Sequence, residues 1–302
     1  MTLNNQILNT EILKILQTIN CRGNLIDLSV PKVMGIINVT PDSFYDGGKT
    51  FSEKEILTQT EKMLSEGATF LDIGGYSTRP GAEEISEKEE IRRVVEAIES
   101  ILKNFPQALI SVDTFRSEVA KKAVAAGATM VNDVSGGTLD AEMYRTVSKL
   151  KVPYILMHMR GTPITMTKLT DYENITIDVI KDLSHKIALA RAEGINDIID
   201  DPGFGFAKTR QQGFQMLNNL ELFQNLQIPI LVGISRKSMV YKTLETSAEN
   251  ALNGTTSLNT IALLKGASIL RVHDVKEAVE CVKLWCEVFG VSYEAGNQSK
   301  KQ

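Results

Sequence analysis

The chain of 302 residues is predicted to be an α/β protein, a (β/α)8 TIM barrel with a short N-terminal capping segment. Two observations predict this fold. Eight short apolar runs alternate with amphipathic stretches of helical spacing, and nearly every run ends in polar residues able to bind a ligand. In a parallel barrel all strand ends meet at one rim, where such enzymes carry their chemistry. Residues from nearly the whole chain are therefore expected to converge on one pocket.

The predicted strands are nearly continuous runs of Val, Ile and Leu, as expected for strands covered on both faces. In chain order they are VMGIINV, TFLDIGG, ALISVDT, MVNDVS, PYILMHM, DIIDDPG, PILVGIS and SILRVHD. Helical spacing is predicted over Glu53–Glu66, Ser86–Lys103, Glu118–Ala126 and Asp178–Glu193. The helix ends are marked by Gly67, Gly127, Gly194 and Gly266, as helix C-caps.

The chain divides into three predicted parts. Residues 1–32 form a lead-in that covers the N-terminal end of the barrel, with helix over Thr2–Asn20 and a small strand pair over Cys21–Ser29. Residues 33–290 form the catalytic barrel, and residues 291–302 form a frayed polar tail. Two long rim loops, Thr40–Thr50 and Ser77–Ile85, are rich in Gly and Pro and are expected to act as mobile lids.

Composition excludes several classes of function. Hydrophobic residues make up 43% of the chain and the net charge is −4, so a sizeable core forms and no global basic field attracts nucleic acid or an acidic membrane. Three cysteines match no metal motif, which favours a reduced, cytoplasmic protein. No secretory signal and no apolar run long enough to span a bilayer is expected.

Acidic and amide side chains close three predicted strands. Asp113 and Asp201, taken singly, are as well explained as loop or capping carboxylates. Together with the amide of Asn132 they form an acceptor-rich surface, suited to a ligand edge with adjacent N–H groups. Pterins and guanines carry such an edge.

Basic side chains follow the last two strands. Ser235–Ser238 and the alternating pair Arg271 and His273 lie where barrels often bind phosphate; the alternative is a solvated basic turn. His158 and His273 alone more often mark packed histidines than catalysts. Asn38 offers one oxygen without an acidic cage, so Mg²⁺ held mainly by a diphosphate is more plausible than a dedicated metal site.

Eight motifs occur in order and at barrel spacing: GIINVTPDSFYDGG, DIGGYSTRPGA, SVDTFR, NDVSG, LMHM, DPGFGFAK, GISRKS and RVHDV. From about Cys21 to Phe289 the chain resembles the bacterial dihydropteroate synthases, folate-pathway enzymes targeted by sulfonamides. The resemblance implies a transferase that condenses 6-hydroxymethyl-7,8-dihydropterin diphosphate with p-aminobenzoate to 7,8-dihydropteroate and diphosphate. It also implies a dissociative mechanism, Mg²⁺ and a homodimer.

The resemblance further implies residue roles. Pterin contacts are implied for Asp113, Asn132, Met157, Asp201, Lys237 and Arg271. Diphosphate contacts are implied for Asn38, Arg79, Arg271 and His273, with Asn38 also on Mg²⁺. The p-aminobenzoate site is implied for Thr78, Pro80, Phe206, Lys237 and Ser238. Asn38, Asp113, Lys237 and Arg271 are the implied catalytic set. Tyr76 departs from the Glu of many relatives and is expected to affect only lid packing.

Two alternatives compete with a synthase. A pterin-binding methyltransferase barrel also uses strand-end Asp and Asn, but it has no use for the TPDSF and STRPG loops or the RVHD end. A non-catalytic binding paralogue is expected to have lost at least one of Asn38, Asp113, Lys237 or Arg271, and all four are present.

Overall fold

In a computed structural model, which describes residues 18–39, 53–77 and 84–293, the chain forms the predicted barrel of eight parallel strands behind a short hairpin. The hairpin strands are β1 (Thr18–Cys21) and β2 (Asn24–Asp27). The barrel strands are β3 (Lys32–Asn38), β4 (Phe70–Gly74), β5 (Leu109–Asp113), β6 (Met130–Asp133), β7 (Tyr154–Met157), β8 (Ile198–Asp201), β9 (Leu231–Val232) and β10 (Ile269–Val272).

Helices cover the outside of the barrel. They are α1 (Glu53–Ser65), α2 (Glu87–Asn104), α3 (Ser117–Ala126), α4 (Met143–Leu150), α5 (Ile175–Ala192), α6 (Arg210–Asn218), α7 (Ser238–Tyr241), α8 (Leu252–Leu264) and α9 (Val275–Phe289). Two 3₁₀ turns span Met166–Lys168 and Leu220–Leu226. The four predicted helices are confirmed within a few residues. The glycines predicted to end helices all have positive φ, a conformation that favours glycine.

Neighbouring strands pair in the order β8-β7-β6-β5-β4-β3-β10-β9. The two ends of this order meet through backbone contacts beside the short strand β9. The Asp200 amide donates to the Pro229 carbonyl over 2.9 Å, and Asp200 also forms a parallel bridge with Ile230. The ring of strands is thus joined across its seam.

Successive residues of each strand point to opposite sides of the barrel wall. In β4, Leu71 and Ile73 belong to the large core between strands and helices, whereas Phe70 belongs to the cluster inside the barrel. In β8, Ile198 packs into the outer core and Ile199 into the inner cluster. This two-residue alternation places Asp201 inside the barrel and its neighbour Asp200 in the outer layer.

The hairpin closes the N-terminal end of the barrel. Ile19, Cys21 and Leu28 are buried in one cluster with inward residues of the barrel strands, including Met34 and Phe70. The prediction of helix as far as Asn20 is wrong for residues 18–20. Burial alternates along β1, exposed then buried, because the side chains that fill the barrel mouth recur every second residue. The rest of the predicted lead-in helix lies outside the described residues.

The tail prediction is also wrong at its start. The Val291 amide donates to the Cys286 carbonyl over 2.9 Å, and Tyr293 packs against the core. These contacts fix the residues just beyond α9 against the core, where a frayed polar tail was expected. Residues 294–302 lie outside the described part.

The described helices include none that is long and apolar enough to cross a membrane. All three cysteines, Cys21, Cys281 and Cys286, are buried and free.

Two buried aspartates face the outer layer and differ in their hydrogen bonding. Asp133 accepts from the Ser135 amide and hydroxyl, the Gly137 amide and the Tyr154 hydroxyl, all within 2.8 Å. Both carboxyl oxygens of Asp200 are buried without a hydrogen-bond partner among the described residues. Burial, and next the charge of Asp201, raises the pKa of Asp200 well above its usual value. A carboxyl without hydrogen bonds is most stable there in its neutral form.

Asp200→Leu is therefore expected to stabilise the protein by about 1–3 kcal/mol near neutral pH. The folded pKa of Asp200 is raised above the unfolded value of roughly 3.9. Its contribution to stability is therefore complete below about pH 4 and is lost as pH rises through the folded pKa. Urea denaturation across this range is expected to show a flatter pH dependence in the variant.

Asp133→Leu is the matched control, because the same substitution removes four good hydrogen bonds in the same layer. It is expected to lose at least about 2 kcal/mol of stability. Equal destabilisation by the two substitutions would contradict the neutral, unbonded state of Asp200.

Candidate active site

An arginine joins two strands at the centre of the rim. Arg271, on β10, donates from Nε to Asp72 Oδ2 on β4 and from Nη2 to Asp113 Oδ2 on β5, both over 2.6 Å. Burial alone would lower the pKa of Arg271, but the two carboxylates outweigh it and raise the pKa. Arg271 is therefore a fixed cation, held in place by charge-assisted hydrogen bonds.

Burial and the charge of Arg271 act in opposite directions on the pKa of Asp113. Burial raises the pKa of Asp113 to about 7, Arg271 opposes the rise, and the negative charge of Asp72 adds to it. A carboxyl poised near neutrality can exchange a proton or accept N–H groups from a ligand.

Asn132 and Asp72 extend the same network. Asn132 is almost fully buried, and its Nδ2 donates to Asp72 Oδ2 over 2.9 Å, the oxygen that also accepts from Arg271. Asn132 and Asp113 are paired neighbours in the β5–β6 register. The two residues predicted to face one ligand edge are thus adjacent.

Asp201 and Lys237 form the opposite side of the pocket. Asp201 accepts from the Gly203 amide over 2.7 Å, and burial raises its pKa while Lys237 is the largest opposing influence. Burial lowers the pKa of Lys237 to about 8, against the pull of Asp201. Lys237 therefore remains a cation near neutral pH and serves as a donor.

An apolar wall stands beside Lys237. Its Nζ lies 4.8 Å from the centroid of the Phe206 ring and donates to the Phe204 carbonyl. Phe206 packs at the edge of a small rim cluster that contains Met157. Ser238 is exposed at the start of α7, directly after Lys237. The predicted p-aminobenzoate residues that are described therefore share one side of the rim.

His273 and Asn38 lie at two other rim positions. His273 Nδ1 lies 3.0 Å from the hydroxyl of Ser235, and the His273 amide donates to the same hydroxyl. A Cβ on Gly74 would meet Asn38 Oδ1 at 3.6 Å and Asp113 Oδ2 at 3.8 Å. Because Gly74 has no side chain, these two oxygen atoms lie beside the same small space.

The side chains of Arg236 and His158 are engaged by other groups of the protein and have structural roles. Arg236 donates twice to the Asp274 carboxylate, over 2.8 and 2.7 Å, and has a left-handed φ of 55°. His158 is buried, with its Nδ1 2.8 Å from Lys208 Nζ. Burial, and then the charge of Lys208, lowers the pKa of His158. It stays neutral, as expected for a packed histidine.

Several predicted site residues lie outside the described chain: Thr78, Arg79, Pro80, the loop Thr40–Thr50, and most of Ser77–Ile85. Tyr76, just before this gap, packs edge-on against Phe115, with ring centroids 5.1 Å apart. The Arg116 guanidinium lies 5.3 Å from the Tyr76 ring centroid and pairs with buried Glu90 over 2.8 Å.

Two site residues were missed by the sequence analysis. Asp72 lies in the middle of an apolar run, where no strand-end rule selects it; its two-residue offset from Phe70 and Gly74 was the available signal. Lys208 ends the DPGFGFAK motif and was given no role, yet it is buried beside His158. In the described residues no group of three or more His, Cys, Asp or Glu side chains could hold a metal ion.

Comparison with known proteins agrees with this geometry. Residues 34–273 match the family described as pterin binding enzyme. A dihydropteroate synthase of Haemophilus influenzae is 43% identical over 262 residues, covering 86% of this chain and 94% of that protein. A Yersinia pestis dihydropteroate synthase solved with a sulfonamide drug has a TM-score of 0.86 and 40% identity, over 91% of this chain and 100% of that one.

A Xanthomonas albilineans dihydropteroate synthase, solved with 4-aminobenzoic acid, has a TM-score of 0.85 and 38% identity, over 92% of this chain and 100% of that one. The barrel and its rim of acids and cations thus define a pterin-binding enzyme. Within that class, the chain belongs to the dihydropteroate synthase family. The predicted transferase activity is confirmed through these relatives, and of the enzyme classes left open by the sequence they support the synthase.

Proposed function

We propose that this rim binds a pterin diphosphate and p-aminobenzoate and joins them to 7,8-dihydropteroate, with roles for individual residues as follows. Asp113, Asn132 and Asp201 accept hydrogen bonds from the N–H edge of the pterin. Met157 lies below the pterin ring, and Lys237 and Arg271 complete the pocket. The observation that carries this assignment is the convergence of acceptors on β5, β6 and β8 with two cations, Arg271 on β10 and Lys237 just before α7.

The charges of the site support a dissociative reaction. The bond between the exocyclic pterin carbon and the diphosphate oxygen breaks, and its electron pair leaves with diphosphate. The carboxylates of Asp113 and Asp201 stabilise the pterin cation, while Arg271 and His273 bind the leaving anion. The arylamine nitrogen then forms the new C–N bond and loses a proton. Fixed charges aimed at both developing charges are an effective source of catalysis.

The second substrate is assigned to the wall beside Lys237. Phe206 contacts its ring, and the exposed start of α7 at Ser238 is near its carboxylate. By the resemblance alone, Thr78 and Pro80 are assigned to p-aminobenzoate and Arg79 to the diphosphate, all three in the segment that follows β4 in the sequence. The Xanthomonas relative solved with 4-aminobenzoic acid supports a site for this class of ligand.

Asp201→Ala is expected to weaken binding of the pterin diphosphate by about 2–5 kcal/mol, because it leaves buried N–H donors of the ligand unpaired. Calorimetry measures the affinity, and diphosphate release that requires both substrates measures the reaction. Asp200→Ala is the matched control, since the adjacent side chain faces the outer layer. Wild-type affinity in Asp201→Ala would remove this residue from the site.

A magnesium ion fits the rim only as part of a diphosphate complex. Asn38 Oδ1 would hold it, and no acidic cage occurs in the described chain. When bound, Mg²⁺ would supply positive charge to the diphosphate oxygens.

Turnover is expected to require Mg²⁺, and metal binding to the protein is expected to strengthen when diphosphate is added. Titration calorimetry with and without diphosphate tests this coupling in wild-type protein and in Asn38→Ala. Full activity after exhaustive chelation would rule the proposal out, and so would metal binding that does not depend on diphosphate.

The homodimer is assigned to the outer face of α8 and α9. These packed helices expose large apolar side chains that a second copy would bury: Ile261, Leu264, Leu284, Val288 and Phe289. Leu284 and Val288, 68% and 74% exposed, are one helical turn apart. Exposed apolar patches of this kind often mark association surfaces. The free cysteines are in keeping with action in the cytoplasm.

Light scattering is expected to give the mass of two chains for the wild type and of one chain for Leu284→Glu, because a buried unpaired carboxylate opposes association. Leu25→Glu is the matched control, since Leu25 is 72% exposed on the β1–β2 hairpin, which is not part of the proposed interface. A monomeric wild type, or a Leu284→Glu dimer, would contradict this interface.

A further inference from the structure

A buried lysine beside the site donates hydrogen bonds to the backbone. Lys208 is 8% exposed, and its Nζ donates to the carbonyls of Phe206, Gly203 and His158 over 2.9, 3.0 and 3.3 Å. Its fourth contact is His158 Nδ1, at 2.8 Å. In the described chain no carboxylate forms an ion pair with this group. Burial lowers the pKa of Lys208 well below its usual value, so hydrogen bonds to the backbone, and not an ion pair, hold this side chain.

A histidine on the neighbouring strand end also contacts this lysine. A hydrogen bond joins His158 Nδ1 and Lys208 Nζ, and which nitrogen donates depends on the tautomer of the ring and on the protonation of Lys208. The other ring nitrogen, Nε2, faces Asp182, whose carboxylate oxygen is 3.8 Å away. His158 thus helps to hold Lys208 in place.

The loop that Lys208 holds has an unusual backbone path. Gly203, Gly205 and Ala207 all have positive φ, at 71°, 81° and 50°. For Ala207 this left-handed conformation is unfavourable, because its Cβ lies too close to the following carbonyl oxygen. A Cβ on Gly203 would lie 2.1 Å from the His158 carbonyl, so the two segments touch. Backbone strain of this kind persists only where surrounding contacts enforce it.

The same loop carries two groups that contact Lys237. The Phe206 ring lies under its ammonium group, and the Phe204 carbonyl accepts from it. Lys208 touches neither the ring nor Lys237 through a hydrogen bond, yet it anchors the carbonyls on both sides of Phe204. A change at Lys208 would therefore be transmitted to the position of Phe206.

We propose that Lys208 is a positioning residue for p-aminobenzoate, acting through the loop of residues 203–207 that holds Phe206. The proposal rests on the assignment of Phe206 to the second substrate. Lys208 fixes the loop in the conformation that presents the Phe206 ring. Loss of Lys208 is therefore expected to weaken the binding of p-aminobenzoate more than the binding of the pterin. Small displacements of binding groups can change rates by about a hundredfold.

Lys208→Met is expected to raise the KM for p-aminobenzoate about tenfold or more, with a smaller change in the affinity for the pterin diphosphate. Lys208→Gln keeps two N–H donors and is expected to give an intermediate KM; it carries the comparison if the Met variant is insoluble. Tyr154→Phe is the control for lost stability. The buried Tyr154 hydroxyl donates to Asp133 over 2.7 Å in the outer layer, so this variant also removes a buried hydrogen bond.

A wild-type KM for p-aminobenzoate in the Lys208 variants would overturn the proposal. An equal rise in Tyr154→Phe would also overturn it, because the effect would then follow from lost stability. Absence of turnover in the wild type with both substrates would instead contradict the proposed function. The assays therefore separate a failure of the positioning role from a failure of the synthase assignment.

Discussion

The site depends on one partly buried cation shared by two carboxylates. Arg271 bridges Asp72 and Asp113 with hydrogen bonds of 2.6 Å to each. None of these three groups would be stable there alone, because an unpaired charge in a barrel interior loses its hydration without compensation. The bridge also connects strands that are not direct neighbours, since β3 lies between β10 and β4. It therefore fixes side-chain positions across the rim as well as balancing charge.

Other charges in the pocket are balanced less completely. Burial raises the pKa of Asp113 and Asp201 and lowers the pKa of Lys237. Each shift opposes the charged form, and each is partly offset by an opposite charge nearby. A ligand that brings N–H donors to the acids and an anion to the cations would complete this balance. Such a pocket is preorganised for separation of charge.

The sequence predicts those features of the molecule that follow from local pattern. Strand-end residues such as Asp113, Asp201 and Arg271 can be placed on one rim because all strands run in parallel. Asp72 escapes this rule because it lies within a strand, and only its offset from Phe70 shows that it points inward. Lys208 depends on where the loop backbone turns, and its partner His158 is 50 residues away in sequence. The extent of β1 likewise depends on a long-range fit into the barrel.

The hairpin gives the barrel a closed floor. Ile19, Cys21 and Leu28 fill the end opposite the rim, so among the described elements a ligand has access from one side only. Asn132 and Asp201, assigned to the pterin, are buried, whereas Ser238, assigned to the second substrate, is exposed. In a pocket with a single opening, the more deeply bound ligand must enter first. A closed floor thus imposes an order of binding on the reactants by geometry alone.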